Sequence, residues 1–121
     1  MYFEINNMTW EIIEKTQAEI KEEINKKEAN EDENPKNIAR RFFGITYSDD
    51  LIIYLDKDLP KERKRRTLLH ELTHCYIVSF ITHQEKNYDE EMVADIVCNS
   101  FDIISKVVER YFKEEEQNSI K

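Results

Sequence analysis

The sequence predicts an α+β fold: a small antiparallel sheet packed on a buried helix, followed by a C-terminal helix. Three observations carry this. Alternating apolar residues flank Asn6-Asn7, and aromatic and β-branched residues flank Ser48-Asp49-Asp50, the patterns of strands joined by turns. The stretch RRTLLHELTHCYIVSF, residues 65 to 80, is too long for a strand and apolar over most of its length. Beyond it, the chain from near Asn87 sets apolar residues at helical spacing.

Taken in order, Phe3 and Ile5 alternate before Asn6-Asn7, and Met8, Trp10 and Ile12 after it, which reads as a hairpin; Ile5, Met8 and Ile12 also fit a helix. From Thr16, Ile20 and Ile24 stand among Glu and Lys, a short solvated helix that ends in the polar loop NEDENPKN and resembles a mobile insertion. The stretch IARRFFGITYSDDLIIYLD supplies aromatic and β-branched residues for two antiparallel strands. Its Gly44 marks either a bulge or close backbone approach, or simple tolerance at an edge. Pro60 suits the first turn of a helix reaching about Ile81, and Glu62 meets its dipole. The charged KERKRR start of that helix is expected to be wet, and Leu68 to Ile81 to be buried. The last helix continues through Val93, Ile96, Val97, Phe101, Ile104, Val107, Val108 and Tyr111 as one apolar face, and the tail KEEEQNSIK should fray.

A chain of 121 residues is the size of one ordinary domain. Its 18 basic and 26 acidic residues leave a net charge of −8, which disfavours nucleic acid and anionic membranes as partners and favours protein or peptide. With no charged-then-apolar leader and no run near the roughly 20 residues needed to span a bilayer, a cytoplasmic protein is expected. Cys75 and Cys98 lie in apolar helical stretches and are expected to be free core thiols.

Positions four apart on a helix lie one turn above the other, so His70 and His74 can direct ring nitrogens to one point. Glu71 is turned about 100° from His70, which sets its carboxylate beside a bound water and not on the ion. All three stand in the most apolar segment, where a metal compensates groups that are costly to bury unpaired. The pattern predicts a zinc site. A catalytic zinc needs a third protein ligand, for which His83, Asp89, Glu90, Glu91 and Asp95 are candidates. The H-E-x-x-H-x-x-G-x-x-H arrangement is excluded, because Ile77 and Phe80 stand where it requires Gly and His. Asn87 as N-cap would employ Glu90 in a capping box and leave Glu91 free to point inward. Asp95, one turn below Glu91, can accept the N–H of a ligand histidine, His70 in preference, and fix which ring nitrogen faces the metal.

HELTH followed by EMVAD resembles the ImmA/IrrE group of small zinc metallopeptidases, whose downstream helix carries Glu-x-x-Ala and then Asn or Asp; Glu91 to Asp95 match in order. The likeness runs loosely from GITYSDDLIIYLDKDLP through the final helix and is similar to the compact versions carried by phages and mobile elements. It implies one zincin-like metallopeptidase domain over residues 1–121, zinc ligands His70, His74 and Glu91, and Glu71 as catalytic acid and base. A regulator encoded nearby is the kind of substrate it implies. The expected reaction is hydrolysis of a peptide bond through a zinc-activated water, Glu71 taking its proton and handing it to the leaving amine. Tyr47, Tyr54, Tyr76, Tyr88 and His83 are candidates to steady the oxyanion, with no assignment among them. LIIYLD is either an edge strand that could cradle an extended peptide or ordinary sheet core. The alternative is a zinc-containing protein-binding module without proteolytic activity, against which the intact Glu71 argues. KERKRR reads as a solvated helix start in preference to a nucleic-acid or acidic-partner patch.

Overall fold

Asn6 and Asn7 both adopt positive φ, 50° and 64°, the backbone of a two-residue turn whose twist matches that of its flanking strands. Asn tolerates that region better than most residues, and this decides the opening in favour of a hairpin. β1 (Tyr2–Ile5) pairs antiparallel with β2 (Met8–Lys15). The computed structural model describes residues 1–28, 40–81 and 89–119. The remaining elements are α1 (Gln17–Glu28), β3 (Gly44–Tyr47), β4 (Ile52–Asp56), α2 (Lys61–Phe80) and α3 (Glu90–Ser119).

The four strands form one α+β sheet in the order β1-β2-β4-β3, and it is mixed where the sequence suggested antiparallel. Each hairpin is antiparallel, but β2 and β4 join the two hairpins in parallel. Parallel pairing needs a crossover of a dozen or more residues, and α1 lies within it. The edge assignment is corrected too. β4, the LIIYLD strand, is paired on both sides, and among the described residues the edge strands are β1 and β3. An unbroken apolar run is the mark of a strand buried on both faces, and Ile53, Tyr54 and Leu55 are all buried.

Ile53 and Leu55 point to the main core, with Trp10 of β2, Leu68, Leu72 and Cys75 of α2, and Ile104, Val107 and Val108 of α3. Tyr54 points to the other face, where Ile20 and Ile24 of α1 cover it. α1 is therefore a packed layer and not a solvated insertion, although its stripe is only two isoleucines wide. It begins in a capping box: Glu19 N–H donates to Thr16 Oγ1 at 3.2 Å and Thr16 N–H to Glu19 Oε1 at 3.0 Å. The loop NEDENPKN lies outside the described residues.

α2 starts after Pro60 and ends before Ile81, as its sequence predicts. Its second half is buried on one side only, leaving Leu69, Val78 and Phe80 exposed. The hairpin grips its C-terminal end: Asn6 Nδ2 donates to Ser79 O at 2.8 Å and Trp10 Nε1 to Ser79 Oγ at 3.2 Å. KERKRR is not uniformly wet, because Lys64 is buried and donates to Glu14 at 2.6 Å and Glu115 at 3.3 Å. Glu115 sits in the predicted fraying tail, which is helical to Ser119. α3 also begins later than expected. Asp89 Oδ1 accepts Met92 N–H at 2.8 Å, which makes Asp89 the N-cap and Glu90 the first helical residue, so the Glu90 capping box does not form. Asn87 lies outside the described residues. Ile104 to Phe112 bury their apolar face, whereas Val93, Val97, Phe101 and the thiol residue Cys98 are exposed, so Cys98 is not a core residue. Among the described residues, no helix is long and apolar enough to cross a membrane.

Candidate metal centre

The buried stripe of α2 runs through Lys64, Leu68, Glu71, Leu72 and Cys75, so His70 and His74, one turn apart, lie on its flank. Both imidazoles are exposed, which corrects the expectation that they are buried. Their Nε2 atoms are 3.2 Å apart, and the rings meet edge-on with centroids 4.9 Å apart. Two imidazole nitrogens at roughly 2.0–2.1 Å from one tetrahedral ion lie about 3.3 Å from each other. The pair thus has the separation of two zinc ligands.

Glu71 is the member of the group that is buried, at 5 % exposure. β3 holds it. Along β3, Gly44 and Thr46 face α2 while Ile45 and Tyr47 pack toward α1. The Thr46 hydroxyl makes long contacts, 3.4 Å each, to the Glu71 carboxylate and to its backbone carbonyl. Gly44 lets the strand approach: a Cβ there would stand 2.8 Å from Thr67 Cγ2 and 3.2 Å from Glu71 Cγ. Since φ at Gly44 is not positive, close approach is the reason for the glycine. Burial pushes the Glu71 carboxyl above its ordinary value, opposed by His74, His70 and Thr46. Ligand atoms of His70, Glu71 and His74 all lie within 4.8 Å of one another, the one such group among the described residues.

Glu91 and Asp95 are not part of that group. Both are exposed on the first turns of α3. Asp95 lines a cleft of about 300 Å³ at the far end of α2 with Tyr76, Phe80 and Ile81. Asp89 is used as the cap, and Glu90 is exposed. His83 and Tyr88 lie outside the described residues. Of the other candidates for an oxyanion donor, Tyr47 and Tyr54 belong to the α1 face of the sheet, and Tyr76 lines the Asp95 cleft.

A second cleft, of about 390 Å³, opens directly at His70 and Glu71. Arg40, Arg41, Phe42, Phe43 and Gly44 form one wall, and Arg63, Arg66 and Thr67 of α2 the other. Sequence reading passed over Arg40 and Arg41 and set aside a patch at KERKRR, although Arg63, Arg66 and His70 recur at helical spacing along one face of α2. Compared with protein-family models, with curated proteins and with solved structures, the chain finds no match.

Proposed function

We propose that the chain is a zinc-dependent endopeptidase of zincin-like architecture, with His70 and His74 holding the ion and Glu71 as general base. The 3.2 Å separation of the two Nε2 atoms beside a buried carboxyl carries this reading. The donor set fits zinc, which when bound supplies a Lewis acid that acidifies water and polarises a scissile carbonyl. Glu71 takes the proton of the attacking water and delivers it to the leaving amine. Its burial favours the protonated form, which moves its basicity toward neutral pH. Thr46 and Gly44 position this carboxylate. β3, an edge strand among the described residues and beside Glu71, is the place for an extended substrate to pair by its main chain.

The resemblance to the ImmA/IrrE group makes Glu91 the third ligand, with Asp95 orienting a histidine. For that, the first turn of α3 has to close on His74 when metal binds. A protein substrate, such as a phage or mobile-element regulator, is the partner class implied. The free thiols Cys75 and Cys98 suit a reducing compartment, the cytoplasm. One observation favours the alternative of a zinc-containing binding module: α3 exposes Val93, Val97 and Phe101 as an apolar stripe.

Metal analysis and one variant test the proposal. The purified protein is expected to carry about one zinc per chain, and Glu71→Gln to keep metal and fold while cleavage falls by about 10²-fold or more. Protein free of metal without exposure to chelators would sink the zinc reading. A cellular effect that survives Glu71→Gln would leave the binding module in its place.

A further inference from the structure

Four of the chain's six arginines, Arg40, Arg41, Arg63 and Arg66, line the cleft that opens at His70 and Glu71. Among the described residues no lysine lines it, and Glu71 is the sole acid that does. This is a local reversal of sign on a chain whose net charge is −8. Like charges gathered beside one another repel, although the chain carries 26 acidic residues that could pair with them. Only Arg41 is paired, through Asp56 at 2.9 Å; among the described residues, no carboxylate lies within ion-pair distance of Arg40, Arg63 or Arg66.

The wall is rigid. Gln17 of α1 accepts Phe42 N–H at 3.0 Å and donates to Asp56 at 2.6 Å, while Asp56 N–H donates to Phe43 O at 2.9 Å. The Arg63 and Arg41 guanidiniums stand over the Phe43 ring at 5.0 and 5.5 Å, and Arg40 stands over Phe42 at 5.3 Å. Stacking restrains the Arg40 and Arg63 forks, so less freedom is lost when a carboxylate binds; the Arg41 fork already donates to Asp56 and helps to fix the wall.

We infer that this cleft is a specificity site for acidic side chains, and that it selects peptide substrates carrying Asp or Glu within a few residues of the scissile bond. The inference rests on the peptidase reading for the word scissile, but the recognition is a binding event that stands apart from cleavage. A planar, bidentate fork suits a carboxylate, which explains arginine where lysine would serve a simple field. Phosphates of a nucleic acid would meet the same forks. The adjoining edge strand β3, which an extended main chain can join, favours a peptide.

The experiment uses Glu71→Gln protein and a pair of fluorescent peptides of equal length, one rich in Asp and Glu, the other with Asn and Gln in their place. Anisotropy is expected to show about tenfold tighter binding of the acidic peptide, weakened by salt. Arg63→Ala with Arg66→Ala should abolish the difference. Arg65→Ala should not, since Arg65 faces the α3 side with Lys106 and Phe112. Arg63→Lys with Arg66→Lys keeps the charge and the fold and should recover only part of it. Equal binding of the two peptides overturns the inference, and so does a single-stranded oligonucleotide that binds more tightly through the same arginines. In the unmutated protein, cleavage of both peptides at equal rates removes the specificity and keeps the peptidase. Arginine-dependent binding without cleavage keeps the acid site and removes the peptidase.

Discussion

Gly44→Ala should loosen the joint between β3 and α2 that presents Glu71. The added methyl would meet Thr67 Cγ2 at 2.8 Å, Glu71 Cγ at 3.2 Å and Tyr54 O at 3.3 Å. Ordinary carbon contacts lie at roughly 3.5–4.0 Å, so the Thr67 methyl has to give by nearly an ångström. Thr67 is β-branched and stiff at χ1, and the carbonyl of Tyr54 is fixed in a strand paired on both sides. Nothing on that side is a flexible side-chain end, so β3 itself must move outward. Overpacking of this kind costs about 1–3 kcal/mol. Ala also restricts the unfolded chain, which returns about 0.4–1 kcal/mol. A net loss of about 1–2 kcal/mol is expected, measured by urea unfolding with an unchanged m-value. The test of cause is Thr67→Ser, which removes the clashing methyl and keeps the hydroxyl. In a double-mutant cycle, Thr67→Ser should recover at least about 0.5 kcal/mol of the Gly44→Ala loss. Additive behaviour, or a Gly44→Ala protein as stable as the parent, would refute the close-approach account and return Gly44 to simple edge tolerance.

Lys64→Met should destabilise the fold by about 1–3 kcal/mol, because it leaves the carboxylates of Glu14 and Glu115 without their cation, and equilibrium unfolding measures it. In the parent, burial opposes the charge on Lys64 but Glu14 and Glu115 win and hold its pKa above the ordinary 10.5; that stability is present below 10.5 and is lost as pH rises through the folded value. Burial likewise opposes ionisation of Glu14, yet bonds from Lys64 and Tyr111 hold it below 4.5; its contribution is present above 4.5 and is lost as pH falls through the folded value. Lys64→Met should flatten the alkaline limb of the stability profile. Glu91→Ala should weaken zinc severely in competitive chelator titration, while Glu90→Ala, which removes only an acid from the first helical position of α3, should leave zinc bound and cost roughly 0.3–1 kcal/mol. Asp95→Asn should fall between them, with a loss of about 10- to 100-fold if it orients a histidine. His74→Ala should abolish metal binding yet change the melting of metal-free protein by no more than about 0.5 kcal/mol, since the ring is exposed.

Local signals carried most of the elements. Asn6-Asn7 specifies its turn by backbone chemistry and Pro60 opens α2 in the same way, while Ser48-Asp49-Asp50 marks the second turn by composition, its positive φ falling on Leu51. What local signals do not specify is how two hairpins meet. The parallel pairing of β2 with β4 depends on the packing of α1, whose isoleucines make a stripe too narrow to announce burial. The opposite error arose on α2 and α3, where apolar residues exceed the surface available to cover them. Leu69, Phe80, Val97 and Phe101 read as core by type and are exposed by position. Thr16 and Glu19 show a third case, a capping-box signature legible in the sequence and passed over.

The site divides along the same line. His70, Glu71 and His74 come from five consecutive residues of one helix, so helical geometry alone brings their ligand atoms within 4.8 Å. Gly44 and Thr46 reach Glu71 from a strand some 25 residues away, and Arg40 and Arg41 meet Arg63 and Arg66 only because β3 lies along α2. KERKRR illustrates why the basic cleft was illegible. As a run of charge it suggests one wet patch. Successive residues on a helix point about 100° apart, so the run is divided three ways: Lys64 inward to Glu14 and Glu115, Lys61 and Arg65 toward α3, Arg63 and Arg66 toward His70. The same rotation that disperses the run aligns two of its arginines with the histidine pair, and the arginines that complete the cleft come from the chain entering β3. A basic site at an acidic protein's candidate metal centre is thus assembled by packing from residues that, in sequence, look like solubilising charge.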